Sequence, residues 1–184
     1  MIETLISSKT RIKLMLKFFL NSNTTSYLRG LEGEFGDSTN AIRLELNRFE
    51  DAGMLRSYTK GNKKFFQANT EHPLFNEVHS LVMKYVGIDR IVENVVERLG
   101  EVRAVYLVGD FSRGINGDII DLIFVGEVNR EYLIQLIDKV EPIVKRKVRY
   151  LIYDKQNEFE ETWNKREINP FLIWEDDKAK QEVG

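Results

Sequence analysis

Polar side chains recur along one side of a predicted helix in the first third of the chain. Asn40, Arg43 and Asn47 stand at positions i, i+3 and i+7, a spacing that places them on one helix face. Arginine can donate two hydrogen bonds to the edge of guanine, and asparagine can bond adenine in the same bidentate way. The pattern therefore predicts a helix that reads base edges in the DNA major groove. The alternative is an ordinary solvated helix face.

Lysines cluster where two short β-prone runs meet. The runs 55–59 and 64–68 flank Gly61 and Asn62, a residue pair typical of a tight hairpin turn. Three lysines stand at or beside the tip of this hairpin, where their ammonium groups can contact phosphates. In the alternative interpretation, the lysines only protect an exposed hairpin from pairing with other strands.

Three helices must position these groups. The first is capped by Ser8 or Thr10, the second is short and ends at Gly36, and the third begins at Ser38 and ends at Gly53. Helix, short helix, tight turn, helix and basic hairpin is the order of a winged helix-turn-helix, which we predict for residues 1–70. Hydroxyls at the start of the third helix can add a phosphate contact. The predicted DNA-binding residues are Ser38, Thr39, Asn40, Arg43, Asn47, Lys60, Asn62, Lys63 and Lys64.

The stretch from Leu28 to Asn69 resembles the winged-helix domains of ArsR-like bacterial regulators, above all in NAIRLELNRFEDAGMLRSYTKGNKKFFQAN. This resemblance implies a transcriptional regulator that binds double-stranded DNA. The helix predicted in residues 71–87 would connect to a second domain and hold a homodimer together. In the alternative interpretation, this helix only packs on its own domain. Metal-sensing members of the group use clusters of cysteine or histidine. This chain has no cysteine and only His72 and His79, so we expect no metal site.

Composition agrees with these expectations and excludes several classes of protein. Residues 1–70 contain eleven basic and seven acidic residues, whereas the remainder is net acidic, so the basic part is expected to face a polyanion. The absence of cysteine excludes disulfides and thiolate metal sites. No apolar run approaches the ~20 residues of a membrane span, and the first residues do not resemble a signal peptide. We therefore expect a cytoplasmic protein without a membrane partner.

The second half of the sequence alternates strands with helices. Predicted strands at 103–108, 118–125 and 148–153 are separated by helices at 88–99, 129–146 and 155–164. This order predicts an α/β domain with a small mixed sheet over residues 88–174, followed by a polar tail at 175–184. The complete prediction is a two-domain α+β or α/β protein.

The segment LVGDFSRGINGDIIDLIFVG resembles the signature of polymerase-β-type nucleotidyltransferases in their minimal form. In that family a strand ends in Gly-Ser beside the triphosphate, Arg-Gly follows, and an Asp-x-Asp pair on the next strand holds two magnesium ions. The resemblance implies a nucleotide-like pocket at positions 109–114 and an acidic pair near position 120. The residues carried over are Gly109, Asp110, Arg113 and Gly114 for the pocket, and Asp118 and Asp121 as vestigial acids.

Departures from the family pattern predict that the domain has lost catalysis. Asp110 stands where the family has serine, and its carboxylate would repel a triphosphate. Asp118 and Asp121 are three residues apart, so a regular strand turns them to opposite faces unless a bulge reunites them. The run 148–153 contains no third acid. We therefore predict no catalytic residue and no cofactor, and a domain that serves as a scaffold or as a sensor of a nucleotide or small-molecule effector.

Two other functions stay open at this point. The first is an active, magnesium-dependent nucleotidyltransferase with the winged helix as its targeting part, which requires Asp118 and Asp121 to converge. The second is a protein-interaction module, which exposed apolar residues on the third helix would favour.

Overall fold

The computed structural model describes residues 2–100, 102–163 and 170–176, and it shows a mixed α/β protein with two small sheets. The chain folds as two units. The first comprises Met1–Tyr85 with Arg113–Asn116, and the second comprises Val86–Ser112 with Gly117–Gly184. Among the described residues, no helix combines the length and apolarity needed to cross a membrane.

Four helices open the first unit; the first of them, at residues 2–5, was not predicted, and predicted capping residues lie at ends of the other three. The Ser8 hydroxyl accepts a hydrogen bond from Arg11 N, and the Ser38 hydroxyl accepts one from Ala41 N. Gly36 ends the short helix Leu28–Phe35 in the left-handed conformation, with φ of 67°. The helices are α1 (Ile2–Leu5), α2 (Lys9–Met15) continued by a π-helical turn (Leu16–Leu20), α3 (Leu28–Phe35) and α4 (Thr39–Asp51).

The sheet of the first unit contains the predicted hairpin and one strand that was not predicted. Strands β2 (Leu55–Lys60) and β3 (Lys63–Ala68) are antiparallel, and Lys60 stands opposite Lys63 across the two-residue turn. The short strand β1 (Ser26–Tyr27) pairs with the other edge of β3, so the order is β1-β3-β2. The hairpin prediction is confirmed, with each strand one residue longer at the turn.

Apolar residues with helical spacing form the core of the first unit. Phe18, Phe19, Leu31, Ile42 and Leu46 are essentially inaccessible to solvent. The next helix, α5 (Phe75–Val86), contacts this core, since the Phe75 ring lies 6.1 Å from the Phe19 ring. Pro73 was expected in the first turn of this helix. It lies instead in the turn that precedes the helix.

The second unit contains a four-stranded sheet of order β6-β5-β4-β7. Its neighbours β5 and β6 are parallel and its other pairs are antiparallel, so the sheet is mixed, as the sequence predicted. The strands are β4 (Val102–Val108), β5 (Ile119–Gly126), β6 (Lys147–Tyr153) and β7 (Phe171–Glu175). The helices are α6 (Ile88–Ile91), a π-helical turn (Val92–Val96), α7 (Glu97–Leu99), α8 (Gly109–Ser112), α9 (Arg130–Val144) and α10 (Gln156–Trp163).

Several boundaries in the second unit differ from the prediction. The expected loop 109–114 begins with the helical turn α8, in which the Ser112 hydroxyl donates to the Gly109 carbonyl. Strand β5 begins at Ile119, so Asp118 precedes the strand. Glu175 lies in β7 rather than in the tail, because its strand pairs with β4. Parts of the prediction lie outside the described residues. They are the helix end at position 164, residues 168–169 of the predicted α/β domain and the polar tail from position 177 onward.

Candidate nucleic-acid interface

A groove of about 510 Å³ lies between α4, the start of α3 and the β2–β3 hairpin of the first unit. Its described lining includes the cations Arg29, Arg43, Lys63 and Lys64, and no carboxylate. A concave surface lined by charges of one sign focuses its field toward an oppositely charged ligand. The other described lining residues are Tyr27, Leu28, Leu46, Asn47, Asn62 and Phe66.

The α4 helix presents its polar face to solvent. Asn40, Arg43 and Asn47 are exposed, whereas Ile42 and Leu46 on the opposite side are buried in the core. The Arg43 Nη1 atom donates a hydrogen bond of 3.3 Å to the Asn40 side-chain oxygen. This contact orients the guanidinium along the helix surface, where its remaining donors can meet a ligand. The helix begins with exposed Ser38, followed by half-buried Thr39.

The positive charge of the hairpin tip has no carboxylate partner among the described residues. Lys60 and Lys63 are exposed and directly opposite each other, and like charges in this position destabilise a hairpin. Lys63 Nζ lies 4.3 Å from the centre of the Tyr27 ring, a cation–π contact. Asn62 occupies the turn itself and is exposed. An anionic ligand at the tip would relieve the repulsion between the two lysines.

Lys64, also predicted to bind DNA, has a partner within the chain. Its Nζ atom lies 2.7 Å from the Glu50 carboxylate on α4, and Ser57 donates a second hydrogen bond to that carboxylate. These hydrogen bonds, that from Lys64 first, hold the pKa of Glu50 below its ordinary value. Lys64 lines the groove, but its charge is partly compensated, so it is a weaker phosphate contact than the sequence suggested.

Two residues beside this surface were not predicted. Arg29 is exposed on α3 and lines the groove, and Leu44 is 52% exposed on α4. Leu44 follows Asn40 by four positions and precedes Asn47 by three, so the helical spacing already placed it on the polar face. An apolar side chain there can contact the methyl group of thymine.

In the second unit, one of the two vestigial acids carried over from the sequence resemblance is engaged by a cation. Asp121 on β5 stands beside Arg149 on the parallel strand β6. Arg149 Nε and Nη2 donate to the two carboxylate oxygens of Asp121 at 2.6 and 3.0 Å. These bonds raise the pKa of Arg149 above its ordinary value. Both oxygens that would ligate a metal ion therefore accept hydrogen bonds from a guanidinium.

Asp118 and Asp121 line different cavities. Asp118 lies with Asp138 and Glu141 beside a cavity of about 450 Å³. Asp121 lies with Gly109 beside another cavity, of about 420 Å³. Gly109 has a φ of 68°, and a Cβ atom on it would collide with the Asp121 carboxylate. No bulge reunites the two acids along the described β5 ladder, which begins after Asp118.

The four residues of the predicted nucleotide-like pocket are not gathered around one described cavity. Gly109 lines the cavity with Asp121, and Asp110 is exposed on α8. Arg113 and Gly114 belong to the segment grouped with the first unit, where the Arg113 carbonyl accepts a hydrogen bond from Lys17 Nζ. A Cβ atom on Gly114 would collide with the Lys17 backbone, so this glycine permits a close backbone approach.

Across residues 2–100, 102–163 and 170–176, no group of three or more His, Asp or Glu side chains converges as a metal ion would require. No protein-family model, curated protein or solved structure matches the chain. We therefore infer the function from the geometry of the groove in the first unit.

Proposed function

We propose that the protein is a transcriptional regulator that binds double-stranded DNA through a winged helix-turn-helix formed by its first unit. The observation that carries the proposal is the groove whose described lining is cationic, bordered by the exposed polar face of α4. Nucleic acid is the ligand that combines a dense row of negative charge with base edges that arginine and asparagine can read. Phosphate contacts would position the protein, and α4 would supply the sequence preference.

In the proposed complex, α4 enters the major groove with Asn40, Arg43 and Asn47 directed at the bases. Lys60 and Lys63 of the hairpin contact phosphates beside it. Ser38 and Thr39 lie at the helix N-terminus, where backbone N–H groups favour a phosphate. Leu44 is the exposed apolar residue on α4 that a protein-interaction module would require, but it stands among three polar neighbours.

We further propose that the second unit is a nucleotidyltransferase-like scaffold or effector sensor without catalysis. The Asp121–Arg149 ion pair and the separate cavity beside Asp118 support this part of the proposal. Two-metal catalysis requires carboxylates that converge on the same ions. The proposal includes a cytoplasmic location and a homodimer, held through α5, that would match the two-fold symmetry common in operators.

Selection of genomic fragments at low salt, followed by fluorescence anisotropy on the selected duplex, tests DNA binding. The Arg43→Ala variant should bind about 5- to 150-fold more weakly, which corresponds to ~1–3 kcal/mol for a lost base contact. Arg130→Ala, an exposed arginine on α9, is the matched control and should bind like the wild type. Failure to select any duplex, or equal affinities of the two variants, would contradict the proposal.

Sedimentation velocity tests the homodimer separately, because it needs no DNA. A single monomeric species at micromolar concentration, both free and with the selected duplex, would remove the dimer from the proposal while leaving DNA binding untouched.

A further inference from the structure

The face of the first sheet that is turned away from the core carries a row of aromatic rings. Phe65 on β3 stands opposite Tyr58 on β2 and opposite Tyr27 on β1, so the three rings cross all three strands. The Phe65 ring lies 5.6 Å from the Tyr58 ring, nearly parallel at 13°, and 5.3 Å from the Tyr27 ring. Tyr58 is 46% exposed. We name this row, with Lys60 and Lys63, the aromatic face.

Packing of the hydrophobic core does not explain these rings. Side chains alternate between the faces of a strand, and the opposite face of this sheet buries Leu55, Phe66 and Ala68. Tyr58 and Phe65 therefore lie on the other side of the sheet from those residues. Tyr58 is exposed, and Phe65 and Tyr27 beside it are half-buried. A continuous row of partly exposed aromatic rings is costly to leave in water, which indicates a ligand that stacks on them.

The charges on the aromatic face specify the chemistry of that ligand. The strand period of two places Lys60 on the same face as Tyr58, and Lys63 on the same face as Phe65. Arg56 belongs to this face too, but it is paired with Glu71. Flat rings beside two lysines, without a carboxylate partner for either among the described residues, match bases and phosphates of one strand.

From this arrangement we infer that the aromatic face binds single-stranded nucleic acid, with unpaired bases stacked on Tyr58 and Phe65 and phosphates beside Lys60. A duplex cannot use these rings in the same way, because its bases already stack on one another. The aromatic face meets the groove of α4 at Tyr27 and Lys63, but Tyr58, Lys60 and Phe65 are not among the described residues that line that groove. The inference therefore does not depend on duplex binding.

Fluorescence anisotropy with labelled twelve-nucleotide oligothymidylate and oligouridylate at low salt tests the inference on the full chain. We expect at least one of the two oligonucleotides to bind. Comparison of their affinities shows whether the ligand is DNA or RNA. Tyr58→Ala should weaken the binding about tenfold, because base–aromatic stacking contributes on this scale. Tyr58→Phe retains the ring and should restore most of the affinity. Lys60→Glu should weaken the binding and flatten its dependence on salt.

Two variants keep this inference separate from the proposed function. Arg43→Ala should lose duplex affinity and keep oligonucleotide affinity, whereas Tyr58→Ala should show the reverse. Circular dichroism checks that Tyr58→Ala is folded, and Lys60→Glu decides the outcome if it is not. If neither oligonucleotide binds, or if Tyr58→Ala and Lys60→Glu both bind like the wild type, the inference is wrong. A face that serves a protein partner would give the latter result.

Discussion

The candidate sites of the two units differ in how their charged residues are compensated. In the first, Arg29, Arg43 and Lys63 line one groove and make no ion pair among the described residues. In the second, Asp121 is one of the two acids that the sequence resemblance matched to metal ligands, and Arg149 neutralises it. A charge that the fold leaves uncompensated is available to a ligand, whereas a charge with an internal partner stabilises the fold. This difference directs the functional proposal to the groove.

The largest effect is expected from Gly109→Ala, which would disturb the Asp121–Arg149 ion pair in the second unit. The new Cβ atom would collide with the Asp121 carboxylate, which Arg149 holds in place, and the residue would retain a positive φ. We expect unfolding in urea to become easier by about 3 kcal/mol, from overpacking together with backbone strain. Duplex affinity of the folded protein should not change.

Gly36→Ala is the matched control for that variant. Gly36 has a similar positive φ of 67°, in the left-handed region, but a Cβ atom there would meet no atom within 4 Å. Its cost should be the backbone strain alone, about 1 kcal/mol. Equal losses in the two variants would show that the Asp121–Arg149 pair does not restrict Gly109.

The next effect concerns the cations of the groove that make no ion pair among the described residues. Arg29→Ala should reduce the slope of log K against log salt by about 1, because one phosphate contact is lost. The loss should be similar for all duplex sequences, in contrast with the selective loss expected for Arg43→Ala. Anisotropy titrations at several salt concentrations measure both quantities. An unchanged slope would exclude Arg29 from the interface.

Glu50→Gln tests the effect of the ion pair that Glu50 makes with Lys64 of the groove. Release of Lys64 should increase duplex affinity slightly and steepen the salt dependence. The variant should lose about 0.5 kcal/mol of stability, the scale of a solvent-screened ion pair. Because the folded protein lowers the pKa of Glu50, the stabilisation is complete above the ordinary pKa of 4.5 and disappears as pH falls through the lower, folded-state pKa.

Thermal unfolding between pH 3 and pH 7 measures this contribution. The difference in stability between the wild type and Glu50→Gln should shrink below about pH 4.5. A difference that stays constant over this range would mean that the lysine and the carboxylate do not interact in solution.

The smallest effect is expected when the partner of Asp121 is removed. Arg149→Ala frees both oxygens of Asp121, yet Asp118 lines a different cavity and provides no second ligand. We therefore expect no measurable binding of Mn²⁺, as a spectroscopic substitute for Mg²⁺, in the wild type or the variant. Electron paramagnetic resonance titration measures it. Micromolar binding in the variant would revive the nucleotidyltransferase alternative.

Local signals were sufficient to predict much of the first unit. A hydroxyl before a helix, a glycine after it and a two-residue turn each act over a few residues, so Ser8, Ser38, Gly36 and the hairpin were predicted correctly. Strand β1 was missed because only two residues pair, at the end of a polar run. The Glu50–Lys64 contact joins residues fourteen positions apart on different elements, which no local pattern reveals.

The candidate sites show the same limit. The polar face of α4 followed from a helical period, but Leu44 was overlooked because apolar residues were assigned to the core. In the second unit, the separation of Asp118 and Asp121 followed from strand alternation, whereas the guanidinium beside Asp121 depends on the register between β5 and β6. The positions of Arg113 and Gly114 depend on contacts with distant Lys17.

The pairing of β1 with β3 has a consequence for folding kinetics. The β2–β3 hairpin closes through a two-residue turn, and such local structure forms within microseconds. Ser26 and Tyr27 must join it across about forty residues, at a much larger cost in loop entropy. We therefore expect the central strand β3 to complete its hydrogen bonding after the β2–β3 hairpin has closed. Amide exchange along β3 would report this late step.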